Sequence, residues 1–228
     1  MFGADVASRV LEAPTPAVAS TTPGRFEISQ RLVTVLRAFP WLLAGAGIAI
    51  VGFVQARGHW IPTGDDAMIT AFSLDLFDHP PLLGMPTSLS ARTGVPVRHP
   101  GPLPFWLLGG PARLFGAPGH GVLLASVGIH LGSVALAAFA AWSLRPRFLA
   151  PLTGTLCGGL ILWSLPNGSV VQPFNPVLAV LSTFAALLGA WAVVSARTER
   201  LWVFVLAGSI AAQAHVTFLP LIALVSLL

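Results

Sequence analysis

The sequence has no lysine, a single cysteine and little charge of either sign. Charged residues make up 9% of it, against about 25% in ordinary soluble domains. A water-soluble globular domain is hard to build from so little charge. The basic balance rests on arginines at the ends of apolar runs, with no basic face. The formal charge of +4 is therefore not the footprint of a nucleic-acid partner. One cysteine, Cys157, allows no disulfide within the chain, and its place inside an apolar run suits packing.

Apolar sequence is what the chain has in quantity. Uncharged stretches cover 38–56, 114–144, 148–196 and 201–228, separated by short arginine-bearing breaks. About 20 apolar residues suffice to cross the hydrocarbon of a bilayer. The expected fold is all-α, a polytopic transmembrane helical bundle in the cell (plasma) membrane, with membrane lipid around it. Residues 1–37, rich in Pro, Ala and Thr, read as a largely disordered cytoplasmic tail ending in an interfacial helix from Phe26. The first apolar run lies too far in for a cleavable signal. Residues 38–228 form the transmembrane domain, and 57–118 within it form a large outer loop with juxtamembrane helices.

The first span is expected over Ala38 to Ala56. Leu103 to Ala112 is too short to cross and contains Gly109-Gly110-Pro111, so it reads as a helix in the outer interface. The second span, Gly119 to Leu144, then returns Arg145 and Arg147 to the N-terminal side, as the positive-inside rule prefers. A third span follows from Phe148 to Leu165. A fourth runs from Val177 to Ala196 and ends at Arg197 and Arg200. The last run, Leu201 to Leu228, is interrupted by Gln213, His215, Thr217 and Pro220, which predicts a broken helix. It stops in mid-run, as the front part of a larger protein would.

The stretch Pro62 to Gly116 concentrates the polar chemistry. Thr63-Gly64-Asp65-Asp66 has the form of a helix capping box. Met68, Ile69, Phe72 and Leu76 then recur at helical spacing, predicting an amphipathic helix from Asp65 to Phe77 on the outer surface. This spacing gives Asp66 the cap and leaves Asp65 free, a carboxylate beside a membrane. Asp75 and Asp78 read as solvated. His79-Pro80 and His99-Pro100 are rigid turns that hold each imidazole at a fixed angle, or simply expose it where a helix begins. Neither histidine has partners at zinc-ligand spacing. Arg92 and Arg98 suit phosphate recognition through a planar fork, while Arg57 and Arg113 suit interfacial anchoring. Gln213 and His215, inside an apolar run, face a cavity or bond a neighbouring helix.

Gly64-Asp65, His79 to Leu82, His99 to Pro102, Asn175-Pro176 and Gln213 to Val216 occur in this order along the chain. In order and spacing they resemble the N-terminal part of the GT-C superfamily of polyprenyl-phosphate-sugar glycosyltransferases. Protein O-mannosyltransferases and the lipid A aminoarabinose transferase belong to it, as do multi-span actinobacterial membrane proteins of poorly defined role, which this chain resembles most. The resemblance covers about Ala38 to the end. It implies a polyprenyl-phosphate-linked sugar as donor and an inverting transfer in which Asp65 deprotonates the acceptor hydroxyl. It also implies a lipid-phosphate leaving group held by Arg92 or Arg98. The mannosyltransferases carry Asp-Glu where this chain has Asp65-Asp66, which leaves the second carboxylate without an assigned role. The candidate catalytic residues are thus Asp65 and Asp66. The candidate substrate-binding residues are His79, His99, Arg92, Arg98, Gln213 and His215. No cofactor is assigned, a divalent metal stays open, and the acceptor is a glycan, a lipid or a protein.

Two other readings compete. In a transporter or flippase, Gln213 and His215 at a broken helix would mark a substrate path. A non-catalytic assembly subunit would suit the short chain. The large acidic outer loop favours the enzyme. The topology is open to test by single-cysteine labelling of intact cells in a Cys157→Ala background. An impermeant reagent is expected to label Asn167→Cys, on the outer side with Asp65 and His99, and to miss Thr198→Cys, on the inner side with the four arginines. The reverse pattern would refute it.

Overall fold

The computed structural model describes residues 23–58, 60–114, 118–164 and 168–227. The tail expected over residues 1–22 lies outside them, as does Asn167. Two compact units are distinguished, Met1–Thr34 and Val35–Leu228. In the first, the described backbone is helical from Pro23, and Thr34 Oγ1 donates to Gln30 O at 3.0 Å.

Among the described residues the fold is all-α, without a strand; Pro86 and Arg98 form one isolated antiparallel bridge. Helix α1 (Pro23–Arg57) starts well before Ala38, so the helix expected from Phe26 and the expected first span form one continuous helix. No glycine or proline lies between Phe26 and Phe39, and extending a helix costs little once it has begun. The remaining helices are α2 (Asp65–Asp75), α3 (Ser88–Thr93), α4 (Leu103–Leu114), α5 (Pro118–Trp142), α6 (Leu149–Ser164), α7 (Asn175–Val194), α8 (Leu201–Ala214) and α9 (Leu219–Val225).

Among the described residues, three stretches are long and apolar enough to cross a membrane: Gln30–Arg57, Gly119–Trp142 and Asn175–Val194. Helix α6, expected as a full third span, has 16 residues. At 1.5 Å per residue it is about 24 Å long, short of the roughly 30 Å of bilayer hydrocarbon. Helix α4 has 12 residues, about 18 Å. The last run is broken, as its polar residues predict. Helix α8 stops at His215, whose backbone is extended, and a 3₁₀ turn over Val216–Phe218 leads into α9.

Small residues let the central helices approach closely. Ala137, Ala140 and Ala141 of α5, Ala185 and Ala186 of α7, and Ala207 and Ala211 of α8 are all fully buried. Ser133 of α5 and Ser182 of α7 join their hydroxyls at 3.0 Å inside this interface. Trp41 of α1 donates its indole N–H to Ala150 O of α6 at 2.9 Å. The outer faces are apolar too: Leu42, Leu43, Ile50 and Phe53 of α1 and Leu156 and Trp163 of α6 are exposed. A surface of that kind suits hydrocarbon better than water.

The expected outer loop packs rather than drapes. Ile69 of α2 and Leu76 just after it, Phe105, Leu108 and Ala112 of α4, Val122 of α5, Leu178 of α7 and Ala214 of α8 belong to a second core. A double-mutant cycle with Ser133→Ala and Ser182→Ala tests the central interface. The expected coupling is about 0.6 kcal/mol, the usual size for a hydrogen bond between membrane helices. A value near zero would mean that the two hydroxyls do not hold α5 to α7.

Candidate functional site

The site begins where α2 begins. Gly64 is the residue before the helix, with φ +53°, a conformation that glycine adopts without steric cost. The helix therefore starts at Asp65, one residue later than a Thr63 cap requires. No side chain caps it, and Asp66 N donates to the backbone oxygen of Thr63 at 3.1 Å. The capping box expected from Thr63-Gly64-Asp65-Asp66 is not formed. Asp65 is exposed. Asp66 is partly buried, and its Oδ1 has no hydrogen-bond partner. Burial, reinforced by the neighbouring Asp65 charge, pushes the Asp66 carboxyl up to about 6.

The second wall is a hairpin-like loop closed by its own hydrogen bonds. Gly84 N donates to His99 O at 3.0 Å, His99 N to Met85 O at 3.1 Å, and Thr87 N to Val97 O at 2.9 Å. Ser90 Oγ donates to Val97 O at 2.6 Å and accepts from Val97 N at 2.8 Å. This closure carries His99 to the break after α8. There His99 Nδ1 accepts from Val216 N at 3.2 Å, and its ring lies 4.7 Å from that of His215, centre to centre. A neutral ring that accepts at Nδ1 carries its proton on Nε2. His99 is only 6% exposed. Burial, and then His215, hold its pKa down to about 4, while Asp65 pulls the other way. His215 Nδ1 lies 2.7 Å from Thr217 Oγ1.

These segments enclose a cleft of about 630 Å³. Asp65, His99, His215 and Asn175 line it, with Ser90, Thr217, Met68 and Met85 among the other wall residues. A smaller recess of about 240 Å³ is bounded by Thr63, Asp65, Asp66, Gln172 and Phe174. Asp65 and Phe174 face both spaces, so the recess adjoins the cleft.

The structure brings together Asp65, Asp66, His99 and His215, and leaves the other candidates apart. Gln213 accepts from Leu103 N at 3.3 Å, satisfying a backbone donor at the start of α4. A side chain at Gly101 would collide with that of Gln213, so the approach depends on glycine. His79 is exposed and pairs with Asp75 at 3.0 Å, which raises its pKa. Arg92 and Arg98 are exposed and do not line the cleft; Arg98 Nη1 reaches Gly84 O at 3.5 Å. No group of three His, Cys, Asp or Glu that could hold a metal occurs among the described residues. Sequence reasoning gave Asn175 no role, although the Asn-Pro pair at the start of α7 was visible. Ser90 and Thr217 carried no signal, because their positions depend on loop closure and on the break in the last run. No family model, curated protein or solved structure matches the chain.

The two shifted groups affect stability with opposite sign. A raised Asp66 pKa means that the fold holds this proton more tightly than the unfolded chain does. That stability is complete below about pH 4 and is lost as pH rises through about 6. A lowered His99 pKa gives stability present above about pH 6.5 and lost as pH falls through about 4. Asp66→Asn is therefore expected to raise the melting temperature of the detergent-solubilised protein at pH 7, with the gain vanishing near pH 4. In that variant, acidification below pH 6.5 should then destabilise through His99. A lower melting temperature at pH 7 would mean that the Asp66 carboxylate makes a stabilising bond after all.

Proposed function

We propose that the chain is a membrane glycosyltransferase, or the N-terminal part of one. In this reading it is multi-pass in the plasma membrane, with a cytoplasmic N-terminus. It moves a sugar from a polyprenyl-phosphate donor to an acceptor hydroxyl at the outer membrane face. The observation that carries the reading is the meeting of Asp65, His99 and His215, from three separate segments, in one cleft at the Asn175 end of α7. The arginines that follow α5 and α7 lie beyond the other end of that helix. Its 20 residues span about 30 Å, the thickness of the hydrocarbon.

A sugar hydroxyl is a poor nucleophile near neutral pH, and a positioned carboxylate relieves this by taking its proton as the new bond forms. Asp65 takes the acceptor proton. The acceptor oxygen attacks the anomeric carbon, the carbon–oxygen bond to phosphate breaks, and polyprenyl phosphate leaves with the bonding electrons. Asp65 owes this role to its place in the cleft, since Asp66 is not occupied as a cap. Asp66, with the raised pKa, is the carboxyl of the pair that keeps its proton longer. His99 Nε2–H, His215 and Asn175 are polar groups suited to sugar hydroxyls. Arg92 and Arg98 belong to the loop that carries His99, but they do not enter the cleft. The proposal therefore gives the cleft the sugar and the acceptor, not the phosphate. The transporter alternative loses its polar midplane, because Gln213 is engaged with the start of α4 and His215 lies beyond the end of α8.

Transfer from a labelled polyprenyl-phosphate sugar by the purified protein tests the reading. Asp65→Asn keeps the size and removes the base, and it should cut turnover by about 100-fold or more. Asp66→Asn should retain measurable transfer. Near-normal transfer by Asp65→Asn with none by Asp66→Asn would reverse the two roles. Unchanged activity in both variants would end the mechanism.

A further inference from the structure

The other end of α7 carries a second polar cavity, of about 290 Å³. Arg37 of α1, Arg145 and Arg147 after α5, and Arg197 and Arg200 after α7 surround it, and Glu199 is the one acid in its wall. Among the described residues no ion pair reaches any of the five arginines. If these side chains served only to set topology, nothing would draw them together, because like charges lower their energy by spreading into water.

Two of the five are instead partly buried and fixed on aromatic rings. The Arg37 guanidinium lies 4.6 Å from the centre of the Trp142 ring, and its Nη2 donates to Trp142 O at 3.4 Å. The Arg200 guanidinium lies 3.7 Å from the centre of the Phe139 ring. Nε of Arg37 and Nε of Arg200 are both buried without a hydrogen-bond partner. Buried donors on charged groups are costly to leave unpaired. Converging guanidinium groups, two of them held on aromatic rings, match the several oxygens of a phosphate.

We propose that this cavity binds a phosphate group, carried by an anionic lipid headgroup or free in solution. The proposal stands apart from the transfer chemistry, since it uses no residue of the Asp65 cleft. Basic pockets between helix ends at a membrane face are suited to anionic headgroups, and free phosphate or pyrophosphate presents the same oxygens.

The full chain, purified in a non-phospholipid detergent, is titrated in separate arms with short-chain phosphatidylglycerol, with inorganic phosphate and with pyrophosphate. The melting temperature is followed in each. A saturable rise is expected in at least one arm. Saturation with phosphatidylglycerol alone assigns a lipid source; saturation with inorganic phosphate or pyrophosphate shows that the free anion suffices. Arg145 and Arg147 are exposed, so Arg145→Gln with Arg147→Gln should fold. That variant should bind about 10-fold more weakly or worse, the cost of losing one or more charge-assisted bonds. Arg197→Gln provides an independent second variant with the same expectation. No saturable rise in any arm, or unchanged affinity in both variants, would overturn the proposal.

Discussion

The length of α7 is the constraint on which the rest of the structure depends. Its 20 residues separate Asn175, in the aspartate–histidine cleft, from the arginines beyond Val194 by about 30 Å. Between these ends alanines and serines of α5, α7 and α8 let the backbones approach, and Val134, Leu181, Leu188 and Val203 fill the remaining space. Large apolar residues are pushed to the outside, where a protein in water would be charged. Asp65, His99 and His215 gather at one end of α7 and the five arginines at the other, and both ends are cavities. One end is thus acidic and imidazole-bearing and the other cationic, with the thickness of the hydrocarbon between them.

Backbone hydrogen bonding explains much of what the polar residues do. Where a helix stops inside an apolar surrounding, its free N–H groups need acceptors, since little water is at hand. The break after α8 leaves Val216 N without a helical partner, and His99 supplies one through Nδ1. The start of α4 leaves Leu103 N in the same position, and Gln213 supplies the acceptor. Both residues look functional in the sequence because they are polar among apolar neighbours. For Gln213 the helix end accounts for its polarity. For His99 it accounts for one ring nitrogen, and it fixes the tautomer so that the other is a donor.

The helices were largely legible, because hydrophobic runs and their arginine ends are local signals. Gly119 to Leu144 became Pro118–Trp142, and Val177 to Ala196 became Asn175–Val194. The short helix after His99-Pro100 and the break at His215 were equally plain, the first from its length and the second from clustered polar residues and Pro220. The helix expected from Phe26 is present, but it runs on without a break into the first span, because no glycine or proline lies between Phe26 and Phe39. Which polar groups meet was legible only in part: Asp65 and His99 were both picked out, but not which of the loop's other side chains would stay outside the cleft. Arg92 and His99 lie close in sequence, yet only His99 enters the cleft, because the hydrogen bonds from Gly84 to His99 close the loop around it. Arg145, Arg147, Arg197 and Arg200 were read as topology markers and Arg37 had no role, and only packing shows the five sharing a cavity.

The capping box is the instructive failure, because its loss changes what the aspartate pair means. A Thr-x-x-Asp pattern assumes that threonine ends the extended chain, but the glycine that follows offers an easier place to turn, and the helix takes it. As a cap, Asp66 would have been ionised, bonded and stabilising. Without the cap it is a partly buried carboxyl with an unsatisfied oxygen and a charged neighbour, and each of these features costs stability at neutral pH. Folding alone gives no account of such a residue. Carboxyls whose pKa is raised by burial and by a like charge, beside a cleft, are what proton-transfer chemistry requires. The failed cap thus removes the structural explanation for Asp66 without placing it in the cleft. Asp65 is the member of the pair that faces the cleft, and Asp66 is the member that keeps its proton longer.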